Sequence, residues 1–348
     1  MRSLRELLED LLAGRSLAFD EAYEAAIEML KGGLDDVAIA ALLVAMRAKG
    51  EAPSEVAGFA RALRDTCLRV GYNGSLLDTA GTGGDASHTI NASTAAALAA
   101  ASLGARVAKH GNRSVSSRSG SADFMEALGY RIDHGPRVAE CMLGSVGFTF
   151  LYAPRYHPAM KRVMPVRRRL GIRTVFNLVG PLANPANARR QLLGVASKNL
   201  VPVMREAAGM IGYERLVIVH GEPGIDEVSV SGETLVVVVE PGRGRVEEYR
   251  VAPEDLGLAR HPLTELRTGS PRESVERVLA VFRGEGRRPD RDFIAANTGF
   301  ALYAYGLVSD PRDGVEEFLA AAAEAKPYRF VEEVLEAQRR CLSSSSAG

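Results

Sequence analysis

The chain of 348 residues is longer than one hydrophobic core usually supports, so two domains or one large α/β domain are expected. Hydrophobic residues make up 46% and charged residues 25%, which is an ordinary composition for a globular protein. The 43 basic and 43 acidic side chains give a formal net charge of +0, which excludes the strong overall field that draws proteins to nucleic acid or anionic membranes.

Residues 1–70 contain helical patterns only. The first segment carries acidic residues within its apolar run, so it predicts an amphipathic helix rather than a signal peptide. The longest apolar run, 37–46, is too short to span a bilayer and predicts a helix that is apolar on nearly every face. Such a helix must be buried on every face, either by a second subunit or by the chain's own second domain.

From residue 76 the pattern alternates between strands and helices, which predicts a mainly parallel central sheet flanked by helices. In such a sheet, ligands bind at the carboxyl ends of the strands. We predict strands at 75–80, 105–111, 130–133 and 215–221, a hairpin at 234–251, and helices at 91–104, 120–129, 198–211 and in the C-terminal part of the chain.

The segment 150–190 departs from this alternation because it contains five prolines in a basic context. This pattern is typical of a junction between domains, where clefts are common. We therefore predict a small helical domain, 1–70, completed by part of 160–190 and hinged to a larger α/β domain, 71–340. The serine-rich end, 341–348, predicts a flexible tail.

The three cysteines, Cys67, Cys141 and Cys341, are scattered and lack CxxC spacing. They argue against a disulfide framework and against structural zinc, and they fit a reducing cytosol. We therefore expect a cytoplasmic protein with no membrane partner.

The first candidate loop runs from Gly81 to Thr94, between a strand and a helix. Its glycines permit close approach of a ligand to the backbone, and the first turn of the next helix offers N–H groups and hydroxyls to an anion. The spacing is neither a Walker A loop nor a GxGxxG fingerprint, so a simple tight turn is the alternative.

The second candidate loop, 109–123, combines three basic residues with five serines and a single acid. Two phosphate-binding loops in one βαβ unit indicate a ligand with more than one phosphate. A solvated, serine-rich turn is the alternative.

The third candidate loop carries the adjacent acids Asp226 and Glu227 after a strand. In a loop, both carboxylates can turn toward one cation, and Mg²⁺ is commonly held by one or two carboxylates with waters and phosphates. An exposed acidic turn is the alternative. Among the three arginines at 167–169, one that faces a cleft has the geometry to bind a substrate carboxylate.

Taken together and in this order, these motifs resemble those of the anthranilate phosphoribosyltransferases. The resemblance covers about residues 4 to 325, and its most specific part is the block 157–185, since the first motifs are shared with pyrimidine nucleoside phosphorylases. The matching motifs are GTGGD (81–85), NAST (91–94), KHGNRSVSS (109–117), GSAD (120–123), the block 157–185 and HGEPGIDEVS (220–229).

The resemblance implies a nucleoside phosphorylase/phosphoribosyltransferase-like fold, a helical domain hinged to an α/β domain, and a homodimer formed through the helical domain. It implies a reaction of tryptophan biosynthesis, in which the amine of anthranilate displaces diphosphate from C1 of 5-phosphoribosyl 1-diphosphate (PRPP). No general base is implied, because an aryl amine is unprotonated at neutral pH. Lys109 and Arg167 would stabilise charge and position the substrates.

The resemblance also implies the site residues. Anthranilate would contact Gly81, Asn112 and Arg167, with Arg167 pairing to its carboxylate. Two Mg²⁺ ions per monomer would be held by Ser93, Asp226 and Glu227. PRPP would be bound by Gly81, Gly84, Asp85, Thr89, Asn91, Ala92, Ser93, Thr94, Lys109, His110, Gly111, Asn112, Arg113, Ser114, Val115, Ser116, Ser117 and Ser121.

Two other functions stay open. A pyrimidine nucleoside phosphorylase would share the first loops, and a non-catalytic, nucleic-acid-binding relative would use the basic residues of 161–169 as a binding stripe. The balanced charge and the acids at 226–227 argue against the second of these. The chain departs from the family pattern at 270–278 and 321–330, outside the substrate motifs, where we expect an effect on local packing only.

Overall fold

The structure, a computed structural model, describes residues 2–85, 87–113 and 120–346. Within these ranges the strands are β1 (Leu77–Gly81), β2 (Val107–Gly111), β3 (Phe148–Tyr152), β4 (Arg190–Gly194), β5 (Arg215–Gly221), β6 (Thr234–Glu240) and β7 (Arg245–Val251). The helices are α1 (Leu4–Leu12), α2 (Phe19–Lys31), α3 (Asp36–Lys49), α4 (Pro53–Thr66), α5 (Ala92–Ser102), α6 (Ser121–Ala127), α7 (Pro136–Ser145), α8 (Ala153–Tyr156), α9 (Met160–Leu170), α10 (Phe176–Val179), α11 (Leu200–Met210), α12 (Leu263–Leu266), α13 (Pro271–Phe282), α14 (Arg288–Tyr305), α15 (Pro311–Ala323) and α16 (Lys326–Ser346).

The strands form one sheet in the order β3-β2-β1-β4-β5-β6-β7. The pairs from β3 through β5 are parallel, whereas β6 and β7 add an antiparallel hairpin at one edge. Successive residues of β5 point to opposite faces, so Val217 packs in one core and Ile218 in the other. Both faces are therefore buried, as the valine-rich strands of a helix-covered sheet require. This architecture confirms the predicted fold class.

The N-terminal helices α1–α4 form a bundle that packs through α4 against α11, and α9 and α10 pack onto it. Val163 of α9 and Phe176 of α10 lie in the same core as the apolar residues of α2, α3 and α4. The segment 160–182 thus contributes to the core of the helical bundle although it is distant in sequence. No helix in the described part of the chain is both long and apolar enough to cross a bilayer.

The strand predicted at 130–133 is wrong, because this segment is a turn without a neighbouring strand. Both backbone groups of Arg131 are bonded to the Gln338 side chain of α16, at 2.8 Å each, and this amide takes the place of a strand partner. The strands β3 and β4 instead come from segments with no strand prediction.

The prediction that the cysteines form no disulfide is also wrong. Cys141 of α7 and Cys341 of α16 form a disulfide across 200 residues. The C-terminal segment differs from the predicted flexible tail as well, since α16 continues to Ser346. Cys341 is buried at 3% exposure, so the last helix is packed onto the α/β domain up to the start of the serine-rich end, whereas 343–345 are exposed.

The disulfide gives a prediction about stability. A cross-link that closes a loop of this size restricts the unfolded chain and is worth about 2–4 kcal/mol. Cys141→Ser is therefore expected to lower the melting temperature, and a thiol reductant should lower that of the wild type to the same value. The matched control is Cys67→Ser, which removes the unpaired cysteine and should keep the response to reductant. A wild-type melting temperature that is insensitive to reductant would contradict this assignment.

Candidate active site

The strand order places β1 and β4 at the point where the sheet begins to grow in the opposite direction, and ligands of open α/β sheets bind beside such a point. Gly81 and Gly194 end these two strands, and Asp226 lies directly over both. A Cβ on Gly81 would lie 2.2 Å from Asp226 Oδ2, and one on Gly194 would lie 1.6 Å from the Asp226 carbonyl oxygen. Glycine is therefore required at both strand ends for the acidic loop to reach the site.

The glycine loop is bonded to the acidic loop and to the helical side of the cleft. The Gly83 N–H donates to Asp226 Oδ2 at 2.7 Å, and the positive φ angles of Gly83 and Gly84, 66° and 80°, make this turn possible. From the other side, the Arg173 guanidinium donates to the Gly84 carbonyl at 3.0 Å. Arg173 follows α9 and therefore links the glycine loop to the segment that completes the helical bundle.

The acidic pair faces the start of α5. Glu227 accepts a hydrogen bond from the Ser93 N–H at 3.2 Å and another from the Thr89 hydroxyl at 3.4 Å. Burial raises the pKa of Asp226 to about 7, and the nearby Asp85 adds to the effect. Burial also raises the pKa of Glu227 well above its usual range, with Asp226 as the next cause. A bound cation would relieve this concentration of negative charge.

The carboxylate oxygens of this site fit Mg²⁺ better than they fit a metal ion that is held entirely by protein side chains. The described residues contain no group of three or more His, Cys, Asp or Glu side chains placed to hold a metal ion by themselves. Mg²⁺ typically binds one or two carboxylates and completes its shell with waters and substrate phosphates. The oxygens of Asp226 and Glu227 open onto a pocket that also contains the glycine loop and Ser93, where such a substrate has room.

Two predicted PRPP contacts, Lys109 and His110, are buried and are not among the residues that line the pocket. The Lys109 ammonium is buried at 1% exposure and donates to the Thr79 carbonyl and to the Thr79 hydroxyl, the latter at 3.2 Å. Burial lowers the pKa of Lys109 to about 8, although Asp78 and Glu227 favour the charged form. His110 is also buried, and its ring packs against His157 with centroids 5.1 Å apart. Burial lowers the pKa of His110 well below its usual range.

The second loop is described only at its two ends. Asn112 accepts from the Arg113 N–H at 2.7 Å through its side chain and from the Ser121 hydroxyl at 3.3 Å through its carbonyl. The Arg113 guanidinium forms ion pairs with Glu126 and Asp123 of α6 at 2.6 and 3.1 Å. The predicted contacts Ser114, Val115, Ser116 and Ser117 lie outside the described residues.

Gly111 lies beside Ser121 of the same loop, since a Cβ on Gly111 would lie 2.1 Å from Ser121 Oγ.

The side chains of Ala92 and Thr94 are fully buried within α5. Any contact that these two residues make with a ligand in the pocket would therefore come from the backbone.

Arg167 of α9 is a half-buried cation that is bonded to neutral groups. Its guanidinium donates to Asn177 Oδ1 at 3.3 Å and lies over the Phe176 ring, with the centroid at 5.5 Å. Burial lowers the pKa of Arg167, which reflects the lost hydration of its charge. No carboxylate of the described residues forms an ion pair with Arg167, whereas the neighbouring Arg169 pairs with Asp36 at 3.8 Å.

Five residues that line the pocket are absent from the predicted site, namely Gly83, Ser87, His88, Ile90 and Thr268. Thr268 comes from the segment before α13, and its N–H donates to the His88 carbonyl at 2.8 Å. A polar residue about 180 positions away from the glycine loop gives no local signal in the sequence. Ser87 and His88 lie inside the first candidate loop but have no characteristic spacing.

Residues 5–67 match the model of the glycosyl transferase family helical bundle domain, and residues 73–326 match that of the glycosyl transferase family a/b domain. A protein of Aeropyrum pernix named anthranilate phosphoribosyltransferase is 54% identical over 332 residues, covering 95% of this chain and 96% of that protein.

Two solved enzymes are similar over nearly the full length. The anthranilate phosphoribosyltransferase of Thermus thermophilus is 41% identical with a TM-score of 0.88, covering 96% of this chain and 99% of that one. The Saccharomyces cerevisiae enzyme in complex with PRPP and Mg is 26% identical with a TM-score of 0.88, covering 97% and 98%. Its complex with 4-fluoroanthranilate has a TM-score of 0.86 at 26% identity, covering 97% and 99%.

The raised pKa values predict how the metal-free protein responds to pH. A carboxyl whose pKa is higher in the folded state than in the unfolded state lowers the free energy of unfolding as pH rises from the ordinary pKa to the raised one. For Asp226 this range runs from about 4 to about 7. Asp226→Asn removes this penalty and keeps an oxygen that can accept from Gly83. Thermal unfolding in a chelator should therefore show a gain of about 1–3 kcal/mol near pH 8 and no gain near pH 4.5.

The exposed Glu332→Gln of α16 is the control and should change stability at neither pH. An Asp226→Asn protein no more stable than the wild type near pH 8 would contradict the buried-charge interpretation of the site.

Proposed function

The chain belongs to the anthranilate phosphoribosyltransferase family, and from this premise we propose how its own residues bind and position the two substrates. The reaction transfers the phosphoribosyl group of PRPP to the amine of anthranilate and releases diphosphate, a step of tryptophan biosynthesis. The observation that carries the assignment of residues is the acidic pair Asp226–Glu227 over the glycine ends of β1 and β4, beside the first turn of α5.

PRPP binds along this pocket. The glycine loop offers backbone N–H groups and little steric bulk to the diphosphate, while Gly81, Asp85, Thr89 and Asn91 surround the diphosphate and ribose. The second loop, from Lys109 to Ser117 together with Ser121, encloses the phosphate of the sugar. The S. cerevisiae enzyme was solved in complex with PRPP and Mg, which supports a substrate that binds together with Mg²⁺.

Two Mg²⁺ ions per monomer would be held by Ser93, Asp226 and Glu227. When bound, Mg²⁺ stabilises the negative charge that develops on the leaving diphosphate. The two carboxylates suit this task because burial and their mutual proximity already disfavour their charged forms without a cation. Lys109 contributes a positive charge from beneath the acidic pair, and its bonds to Thr79 fix its position.

Anthranilate binds on the helical side of the cleft. Arg167 pairs with its carboxylate, since this cation is partly desolvated and has neutral partners that a carboxylate can replace. Asn112 and Gly81 complete the contacts. The complex of the S. cerevisiae enzyme with 4-fluoroanthranilate supports a site for this class of substrate.

Catalysis follows from position and charge. The aryl amine is neutral at physiological pH, so it attacks C1 without a general base once its carboxylate is fixed by Arg167. Positive charge develops at C1 while negative charge develops on the diphosphate, and the groups around the acidic pair stabilise the latter. Pyrimidine nucleoside phosphorolysis and nucleic-acid binding are not favoured, because the relatives matched over nearly the full chain are named for the transferase.

The assembly is a homodimer formed through the helical domain. The outward side of α3 presents Val37, with 78% exposure, and Val44, with 41% exposure, two turns apart on one face. The protomer leaves this stripe uncovered, and a second copy would bury it.

A cytoplasmic location follows from the charge of PRPP, which prevents unaided passage through a membrane. Fractionation of source cells tests the location.

The function is tested with anthranilate, PRPP and Mg²⁺, by following the loss of anthranilate fluorescence. Arg167→Ala should raise KM for anthranilate about 10- to 100-fold, because it removes a charge-assisted hydrogen bond, and should change KM for PRPP little. Arg168→Ala is the control, since Arg168 is exposed on the same helix. Unchanged anthranilate kinetics in Arg167→Ala would remove this residue from the carboxylate site, and wild-type turnover that persists in a chelator would exclude magnesium.

The dimer is tested by size-exclusion chromatography with light scattering. Val37→Asp should shift the protein from dimer to monomer, because an isolated carboxylate is costly to bury in an apolar interface. Val246→Asp changes another exposed valine, on β7, 53% exposed, and should stay dimeric. A monomeric wild type, or a dimeric Val37→Asp protein, would overturn the proposed interface.

A further inference from the structure

The segment before α13 forms the back wall of the loop that enters α5. The Ile90 N–H donates to the Leu266 carbonyl at 2.9 Å, and the Thr268 N–H donates to the His88 carbonyl at 2.8 Å. Thr89 and Arg267 form an isolated antiparallel bridge between the same two segments. Residues 88–90 are therefore held by a part of the chain that is far away in sequence.

One side chain extends this contact to Asn91. Ser274 of α13 is fully buried, and its Oγ accepts the Asn91 N–H at 3.0 Å and lies 3.1 Å from Asn91 Oδ1, to which it donates. A hydroxyl has a single proton, so this geometry commits that proton to Asn91. We propose that Ser274 is a positioning residue for PRPP, because it sets the orientation of the Asn91 side chain and of the turn that begins α5. The proposal builds on the substrate assignment above.

The Asn91 side chain contacts Ser274 instead of capping α5. Asn91 is the N-cap of α5, where an asparagine side chain usually accepts from an N–H of the first helical turn. Here its side chain makes no such capping bond, and the Ser93 N–H donates to Glu227 instead. The Asn91 oxygen is turned to Ser274, which fixes the orientation of the amide relative to the pocket that Asn91 lines.

The helix that carries Ser274 is itself firmly placed. Ser270 caps its N-terminus by accepting from the Glu273 N–H at 3.2 Å. Arg277, one turn after Ser274, forms an ion pair with the buried Asp290 of α14 and donates to the Glu265 carbonyl at 2.8 Å. The hydroxyl of Ser274 is therefore presented from a rigid support, which is what a positioning role requires.

The segment 270–278 thus has a different role from the one predicted from the sequence. Its place outside the substrate motifs predicts an effect on local packing only. The fold brings it against Asn91, 183 residues earlier in the chain, so a change at this place acts on the substrate loop.

The test is Ser274→Ala, with affinity for PRPP and Mg²⁺ measured by calorimetry and with steady-state kinetics for both substrates. Loss of a neutral hydrogen bond should weaken PRPP binding and raise its KM about two- to tenfold. KM for anthranilate and kcat at saturation should stay within about twofold, and the melting temperature should fall only slightly. PRPP affinity equal to the wild-type value would overturn the positioning role.

Ser270→Ala is the matched control, because it removes the N-cap of the same helix without touching Asn91. It should lower the melting temperature and keep the wild-type KM for PRPP. An equal rise of KM in this variant would show that helix stability is responsible and would overturn the inference. Failure of the proposed function is distinguishable, since it would appear as absent turnover of anthranilate and PRPP in the wild type.

Discussion

The site depends on the close approach of the acidic loop to the ends of β1 and β4. This approach is possible only because Gly81 and Gly194 have no side chains, since a Cβ on either would overlap atoms of Asp226. The contact brings two carboxylates to the switch point of the sheet and removes much of their water. Their raised pKa values are the electrostatic consequence, and they make the pocket a poor place for two uncompensated negative charges and a good one for a cation and a polyanion together.

Local patterns in the sequence predicted much of the fold. The helical period of residues 1–70, the glycines that end several helices, and the valine-rich runs of β5 and β6 each depend on neighbours along the chain, so they can be interpreted without the structure. The segment 130–133 was misassigned because its backbone is satisfied by Gln338, and no periodicity predicts a side-chain partner so far away. The disulfide could not be predicted from local patterns either, since its cysteines are 200 residues apart and lack any characteristic spacing.

The candidate site also contains residues that lie within a sequence motif and residues that come from distant parts of the chain. Residues inside a motif, such as Asp226, Glu227 and Ser93, can be predicted as candidates because their family pattern is continuous in sequence. The walls of the pocket that come from elsewhere, Thr268 and the support by Ser274, depend on how α13 packs against the loop before α5. Burial also gives a motif residue a contact that the motif does not predict: the buried ammonium of Lys109 on β2 is bonded to Thr79 of β1.

The division into two domains has an electrostatic reason in the proposed binding mode. Both substrates are anions, so a single basic surface would attract each of them without separating their positions. In that mode the diphosphate would be bound through a cation on the acidic, sheet side, whereas the carboxylate of anthranilate would be bound by Arg167 on α9, which packs on the helical bundle. Arg173, bonded to the Gly84 carbonyl, spans the gap between the two sides. In this binding mode the amine and C1 can meet in the cleft while the two negative ends are held apart by opposite walls, and the proton that the amine loses can pass to water or to the leaving diphosphate.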